Sequence, residues 1–226
     1  MADPEIQLYS IVSQPFNENS YVVNRPSRSD CLVIDPGLEP GEIVEYLDGR
    51  KLTPAAILNT HGHADHIAGN GALKERWPGC PLVIGRGDAP KLTDARLNLS
   101  FQYGLPLTSP MADVLVDDGG RYQAAGFDLE VYEIPGHSCG HVVFIWRGAE
   151  RVYVFGGDVL FAGSVGRTDF LDGSFTELAE GIHAKLFTLP DDALVLSGHG
   201  TPTTIGEEKE SNPFVGRPAG WTERSK

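Results

Sequence analysis

Short apolar runs, each cut by Gly, Pro or Asp, set the rhythm of this chain. Residues 6–12 alternate loosely, and 20–24 and 31–34 follow as two further apolar runs, with Arg25-Pro26-Ser27-Arg28-Ser29 between them as a hairpin turn. Asp35-Pro36-Gly37 stops the third run. Ile43, Val44 and Leu47 then recur at helical spacing behind Pro40-Gly41, which predicts a helix over 42–47. Ala55-Ala56-Ile57-Leu58 reads as a short buried strand, 67–77 as a helix ended by Pro78-Gly79, and 81–84 as a strand. Periodicity fades over 86–112, and a long irregular segment inside a compact fold is either functional or an idle surface loop.

The second half repeats the style without repeating residues. Strands are predicted over 113–116, 121–124 and 127–134, and a hairpin over 142–146 and 151–155 turns at Gly148. Residues 175–186 read as a helix, with Ser174 and Glu177 spaced as a capping box. Residues 193–196 make a last buried strand, and the polar tail after Glu210 is expected to run over the surface. Layer rules turn this order into an α/β fold of two mixed sheets packed face to face, with helices outside. A chain of 226 residues and 24.4 kDa suits one domain spanning 1–226, with a core large enough to need no staples.

Composition narrows the function. Charged residues make up 22% of the chain and the net charge is −13, so a basic nucleic-acid footprint is absent and anionic membranes are disfavoured. No apolar run is long enough to span a bilayer. Cys31, Cys80 and Cys139 are odd in number and form no C-x-x-C pair, which predicts free, buried thiols in a reducing compartment. Met1-Ala2-Asp3-Pro4-Glu5 carries no secretion signal, so a cytoplasmic location is expected and Asn98-Leu99-Ser100 has no weight as a glycosylation acceptor.

The chemistry concentrates in Thr60-His61-Gly62-His63-Ala64-Asp65-His66, on a turn between a strand and a helix. His61 and His63 are two apart and point the same way in extended backbone, whereas Asp65 and His66 must point elsewhere or at a second ion. Three later strand ends share one punctuation, a glycine beside a ligand: Pro135-Gly136-His137, Gly156-Gly157-Asp158 and Ser197-Gly198-His199-Gly200. The candidate set is therefore His61, His63, Asp65, His66, His137, Asp158 and His199. Seven ligands exceed one tetrahedral ion and suit two ions that share a carboxylate and keep an open position for water.

These motifs resemble the metallo-β-lactamase superfamily, and within it the glyoxalase II group. The first matches T-H-x-H-x-D-H, and the later ones follow in order and rough spacing. Gly163-Ser164-Val165-Gly166-Arg167-Thr168-Asp169-Phe170 resembles a loop of single-domain glyoxalase II-like proteins and persulfide dioxygenases, and Asn212-Pro213-Phe214 resembles their ending. The resemblance implies an αββα sandwich. It implies a first ion on His61, His63 and His137, a second on Asp65, His66 and His199, and Asp158 bridging both. It departs in two places. With only a short segment after His199, no counterpart is expected of the helical C-terminal domain that grips glutathione in two-domain members. Persulfide dioxygenases use one iron and replace the last Gly-His-Gly, whereas His199 is present here.

The leading expectation is hydrolysis of a small-molecule thioester, possibly glutathione-derived, by water activated on two divalent ions, with Asp65 and Asp158 as catalytic carboxylates. Zinc is the first expectation, and the ligands also suit iron or manganese. Persulfide dioxygenation, hydrolysis of a lactone, phosphodiester or β-lactam, and metal binding without turnover are the alternatives. One lactamase class puts cysteine where this chain has Asp158, which argues against that class. His141, four after His137, reads as a structural hydrogen-bonding residue or as a partner that orients a ligand, and His183 as a surface or core position. Arg167 and Asp169 read as a pair that holds their loop, and Cys139 has no companion base to make it a nucleophile.

Overall fold

The computed structural model describes residues 5–222. Its first sheet has the order β1-β2-β3-β4-β5-β6: β1 (Gln7–Ser13), β2 (Glu18–Asn24), β3 (Asp30–Ile34), β4 (Thr53–Asn59), β5 (Leu82–Gly85) and β6 (Val114–Val116). Pairing is antiparallel from β1 to β3 and parallel from β3 to β6. The second sheet runs β14-β13-β10-β9-β8-β7, from β7 (Arg121–Ala124), β8 (Phe127–Glu133), β9 (Val142–Arg147), β10 (Val152–Gly157), β13 (Leu194–Ser197) and β14 (Thr203–Thr204). Here β10 and β13 are parallel and the other pairs antiparallel. A small hairpin, β11 (Leu160–Phe161) with β12 (Ser164–Val165), stands apart.

Helices α1 (Pro40–Arg50) and α3 (Asn70–Arg76) cover the first sheet, and α4 (Phe175–Gly181) and α5 (Ile205–Ser211) cover the second. Three apolar layers result. Tyr21, Leu32, Leu58, Phe144, Phe155 and Leu196 fill the space between the sheets. Ile57 and Leu82 pack outward on Ile43, Leu47 and Leu73, and Val143 and Ile145 pack outward on Leu178 and Ile182. The central strands are buried on both faces, so they read as continuous apolar runs rather than alternating ones. The expected αββα sandwich is therefore the fold.

Several local expectations need correction. The helix expected over 67–77 is two: α2 (Ala64–Ile67) and α3, broken at Ala68-Gly69. A side chain at Gly69 would meet the Pro36 ring and the Gly37 carbonyl at 2.9 Å, so the chain turns there, against the loop after β3. Asp65 and His66 therefore lie on a helical turn and not on the strand-to-helix turn. Residues 86–112 are not an idle loop. Asn98 is fully buried, donating to the Lys91 and Leu107 carbonyls and accepting from Ser100, which ties two 3₁₀ turns together. Ser174 accepts from the Glu177 amide at the start of α4, but the reciprocal box sits at Thr204 and Glu207, on an unforeseen helix, α5. The tail is not wholly superficial, because Asn212 and Val215 are buried. Cys31 and Cys80 are free and buried, but Cys139 is exposed. Among the described residues no helix is long and apolar enough to cross a membrane.

Candidate metal centre

Strands β3 and β4 of one sheet and β8, β10 and β13 of the other all end at the same rim. Each delivers a polar residue there: Asp35 after β3, His61 and His63 after β4, His137 after β8, Asp158 after β10 and His199 after β13. Helix α2 adds Asp65 and His66. Glycines make the approach possible. A side chain at Gly198 would strike the Asp158 carboxylate and His66, and one at Gly157, whose φ is +48°, would lie 2.7 Å from His141.

All seven sequence-derived candidates meet. His61, His63 and His137 offer ligand atoms within 4.8 Å of one another, and so do His61, His66 and Asp158, and Asp65, His66 and His199. His61 Nε2 and His137 Nε2 lie 3.1 and 2.9 Å from His63 Nδ1. Asp158 Oδ2 is 3.5 Å from His137 and 3.4 Å from His199, its Oδ1 is 3.5 Å from His66, and Asp65 is 3.4 Å from His199.

Outer hydrogen bonds decide which way each ring faces. His137 Nδ1 donates to the Arg167 carbonyl at 2.9 Å, His66 Nδ1 to Asp35 at 3.2 Å, and His199 Nδ1 to the Phe16 carbonyl at 3.1 Å. The Thr60 hydroxyl donates to Asp35, so it accepts from His61 Nδ1 at 3.2 Å. In the neutral form of these four rings, Nε2 therefore turns a lone pair inward. His63 Nδ1 can bring at most one proton to its two neighbours, and buried His66 Nε2 and Asp158 Oδ1 have no partner. Buried lone pairs and carboxylate oxygens converging without donors are costly unless a cation joins them. The donor set fits divalent metal.

The electrostatics divide along the same line. Burial, reinforced by neighbouring histidines, pushes His61 and His63 well below the usual histidine range, and burial also lowers His137. Burial also opposes charge on His66 and His199, but Asp158 and Asp65 outweigh it, raising His66 well above its ordinary value and His199 to about 10. Burial would raise Asp158, yet His66, His199 and His137 hold it far below the carboxylate range. Without an ion, protons on His66 and His199 thus stand in at one half of the site.

Three supporting residues escaped the sequence reading or were under-read there. Buried Asp35 sits at φ +46°; one oxygen accepts the Thr60 amide and the other the Thr60 hydroxyl, both at 2.7 Å, as well as His66. It had read only as a strand stop, although Asp35-Pro36-Gly37 carries the same strand-end punctuation as the ligand motifs. Asp88, also buried, accepts from the Gly62 and Gly140 amides at 2.8 Å and from Ser138, tying the His61–His63 turn to the His137 loop. His141 accepts the Asp158 amide at 3.0 Å and stacks on His61, so its hydrogen bond serves a site residue. His183 bonds the Val215 carbonyl at 2.7 Å, far from this cluster, and Arg167 pairs with Asp169 through two bonds, as expected.

Residues 13–199 match the family model of the metallo-β-lactamase superfamily. The chain belongs to that superfamily. Among this superfamily chain's relatives, YqgX of Bacillus subtilis (strain 168), named a probable metallo-hydrolase, is 40% identical over 89% of this chain and 93% of its own. The hydroxyacylglutathione hydrolase GloC of Haemophilus influenzae is 37% identical over 82% of this chain and 87% of its own. Among solved structures, the B3 metallo-β-lactamase BLEG-1 superposes with a TM-score of 0.88 at 36% identity, over 92% of this chain and 99% of that one. A di-iron-bound form of TTHA1623 superposes with a TM-score of 0.79 at 32% identity, over 92% and 100%.

Proposed function

We propose that this superfamily metallo-hydrolase cleaves thioesters of the hydroxyacylglutathione, or glyoxalase II, type with two divalent ions in one domain. The observation that carries the reading is the inward convergence of histidine lone pairs on one shared carboxylate, Asp158. His61, His63 and His137 would hold the first ion, Asp65, His66 and His199 the second, and Asp158 both. GloC, at 37% identity over most of both chains, supports the thioester assignment. When bound, the ions supply Lewis acidity and bring the pKa of coordinated water to near 7.

The chain's own groups do the rest. Asp65, like His199, is only partly buried, and there its carboxylate can accept a hydrogen bond from the attacking water and orient it. Phe170 packs edge-on against His63 and His137 at 5.1 and 5.5 Å and keeps bulk solvent off the first triad. Hydrolysis then splits the acyl–sulfur bond, water supplying the oxygen of the acid and the proton of the thiol. Zinc is the first choice of metal; the di-iron relative supports iron for the same ligand types. The free thiols suit a cytoplasmic setting.

His199 argues for two ions over one iron, because its Nε2 faces Asp65 and Asp158 equally, at 3.4 Å. A β-lactam is the second reading, favoured by the BLEG-1 likeness. Metal analysis of the purified protein beside thiol release from S-lactoylglutathione and turnover of a chromogenic cephalosporin tests the assignment. Two ions per chain with thioester turnover supports it; cephalosporin turnover alone replaces it.

A further inference from the structure

Aromatic and aliphatic side chains collar the mouth of this site, and the cations beside it are already paired. Phe170 lies on the His63 and His137 side. Phe161 lies 6.1 Å from the His199 ring on the other side. Phe16, whose carbonyl holds His199, meets Tyr103 edge-on at 5.3 Å. Phe16 is 37% exposed, Tyr103 54% and Leu171, next to Phe170, fully so. Four separate chain segments thus bring apolar surface to one opening, which is more than scattered surface hydrophobics explain. The charges there cancel. Arg167 gives Nε and Nη2 to Asp169 and sits over the Phe170 ring at 4.7 Å. Lys91 is buried and committed to Asp172 and Ser138.

Resting on the thioester-hydrolase part of that reading and narrowing its substrate away from S-lactoylglutathione, we propose that the site selects thioesters with an apolar acyl group, and that Phe16, Tyr103, Phe161 and Phe170 form the acyl-binding collar. A hydrocarbon chain leaving the carbonyl meets these side chains on either flank. A carboxylate-rich thiol carrier meets a paired arginine, a buried lysine and a chain of net charge −13.

The test is an acyl series on one neutral carrier, N-acetylcysteamine, with the metal-loaded protein. From acetyl through butyryl to hexanoyl, kcat/KM should rise roughly twofold per methylene, about half of what full burial gives. Tyr103→Ser should flatten that slope, chiefly through KM, and leave metal content unchanged. A flat acyl series in the native protein, or a strict demand for the glutathione moiety, overturns the collar. Should no thioester turn over, calorimetric binding of the thioether S-hexyl-N-acetylcysteamine separates the two ideas. Binding that weakens in Tyr103→Ser keeps the collar and sinks the thioesterase reading; no binding sinks the collar.

Discussion

The carboxylate of Asp35 reaches Nδ1 of His66 at 3.2 Å while its two oxygens take the amide and hydroxyl of Thr60. One buried acid thus sets both the tautomer of a candidate ligand and the path of the chain entering the His61 turn. Asp35→Asn cannot accept on both sides, and its amide would face a donor. Metal affinity should fall about 10–100-fold at the second position. Stability should fall by about 1–3 kcal/mol. Competitive metal titration and thermal denaturation read the two effects, and an unchanged affinity would remove Asp35 from the site.

Asp158 faces His66, His137 and His199 at once. Asp158→Ala should therefore abolish turnover and release at least one ion per chain while circular dichroism shows the fold intact. Full activity with two ions retained would contradict the bridging assignment.

His199 and His183 make an internal control. His199 turns Nε2 to the carboxylates; His183 spends its ring on the Val215 carbonyl beside Phe187 and Trp221. His199→Ala should lose the second ion before the first. His183→Ala should keep both ions and lose about 1 kcal/mol of stability for one hydrogen bond. Metal analysis after mild chelation decides, and equal loss from both variants would mean the ligand set is wrong.

What the sequence made legible follows from where information is local. Ile57-Leu58 and Phe144-Ile145 announce strands buried on both faces, and the histidine turn announces itself because ligand types crowd there. Asp35 and Asp88 were opaque, and the part played by His141 stayed open, because each acts on a partner 17 or more residues away, often a backbone amide that leaves no trace in composition. Helix α5 was hidden for another reason. Its Glu208 is buried by hydrogen bonds from Thr203, Asn212 and Gly163, so a face that packs inward reads as charged. The break at Gly69 depends on Pro36, which only the folded chain brings near.

Metal uptake should release protons unevenly. Burial opposes charge on His66 and His199, but Asp158 and Asp65 outweigh it, raising His66 well above the ordinary histidine range and His199 to about 10, a direction that favours the protonated form of both in the metal-free chain. Groups raised in this way stabilise the metal-free fold below their unfolded pKa, and that contribution is lost as pH rises through about 10 for His199. The first triad is lowered and already neutral. Calorimetry in buffers of different ionisation enthalpy should find roughly one to two protons released with the second ion and roughly none with the first. Equal release in both steps would refute the division.

His141 lies outside the candidate ligand set yet touches it twice. Its Nε2 accepts the Asp158 amide at 3.0 Å and its ring stacks on His61 at 4.7 Å. Burial, with His137 next, pushes it well below the usual histidine range, so it stays neutral and keeps that acceptor across physiological pH. His141→Phe keeps a stacking ring and leaves the buried Asp158 amide without a partner, at a cost of about 1–3 kcal/mol. If the bond only fills a gap in the fold, stability falls and metal affinity does not. If it sets the carboxylate of Asp158, affinity falls about 10–100-fold as well. We expect both losses, and partial recovery of affinity in His141→Gln, whose side-chain carbonyl can accept the same amide. Metal titration of the two variants below their melting temperatures separates the cases, and undiminished affinity in His141→Phe would leave His141 with a role in stability alone.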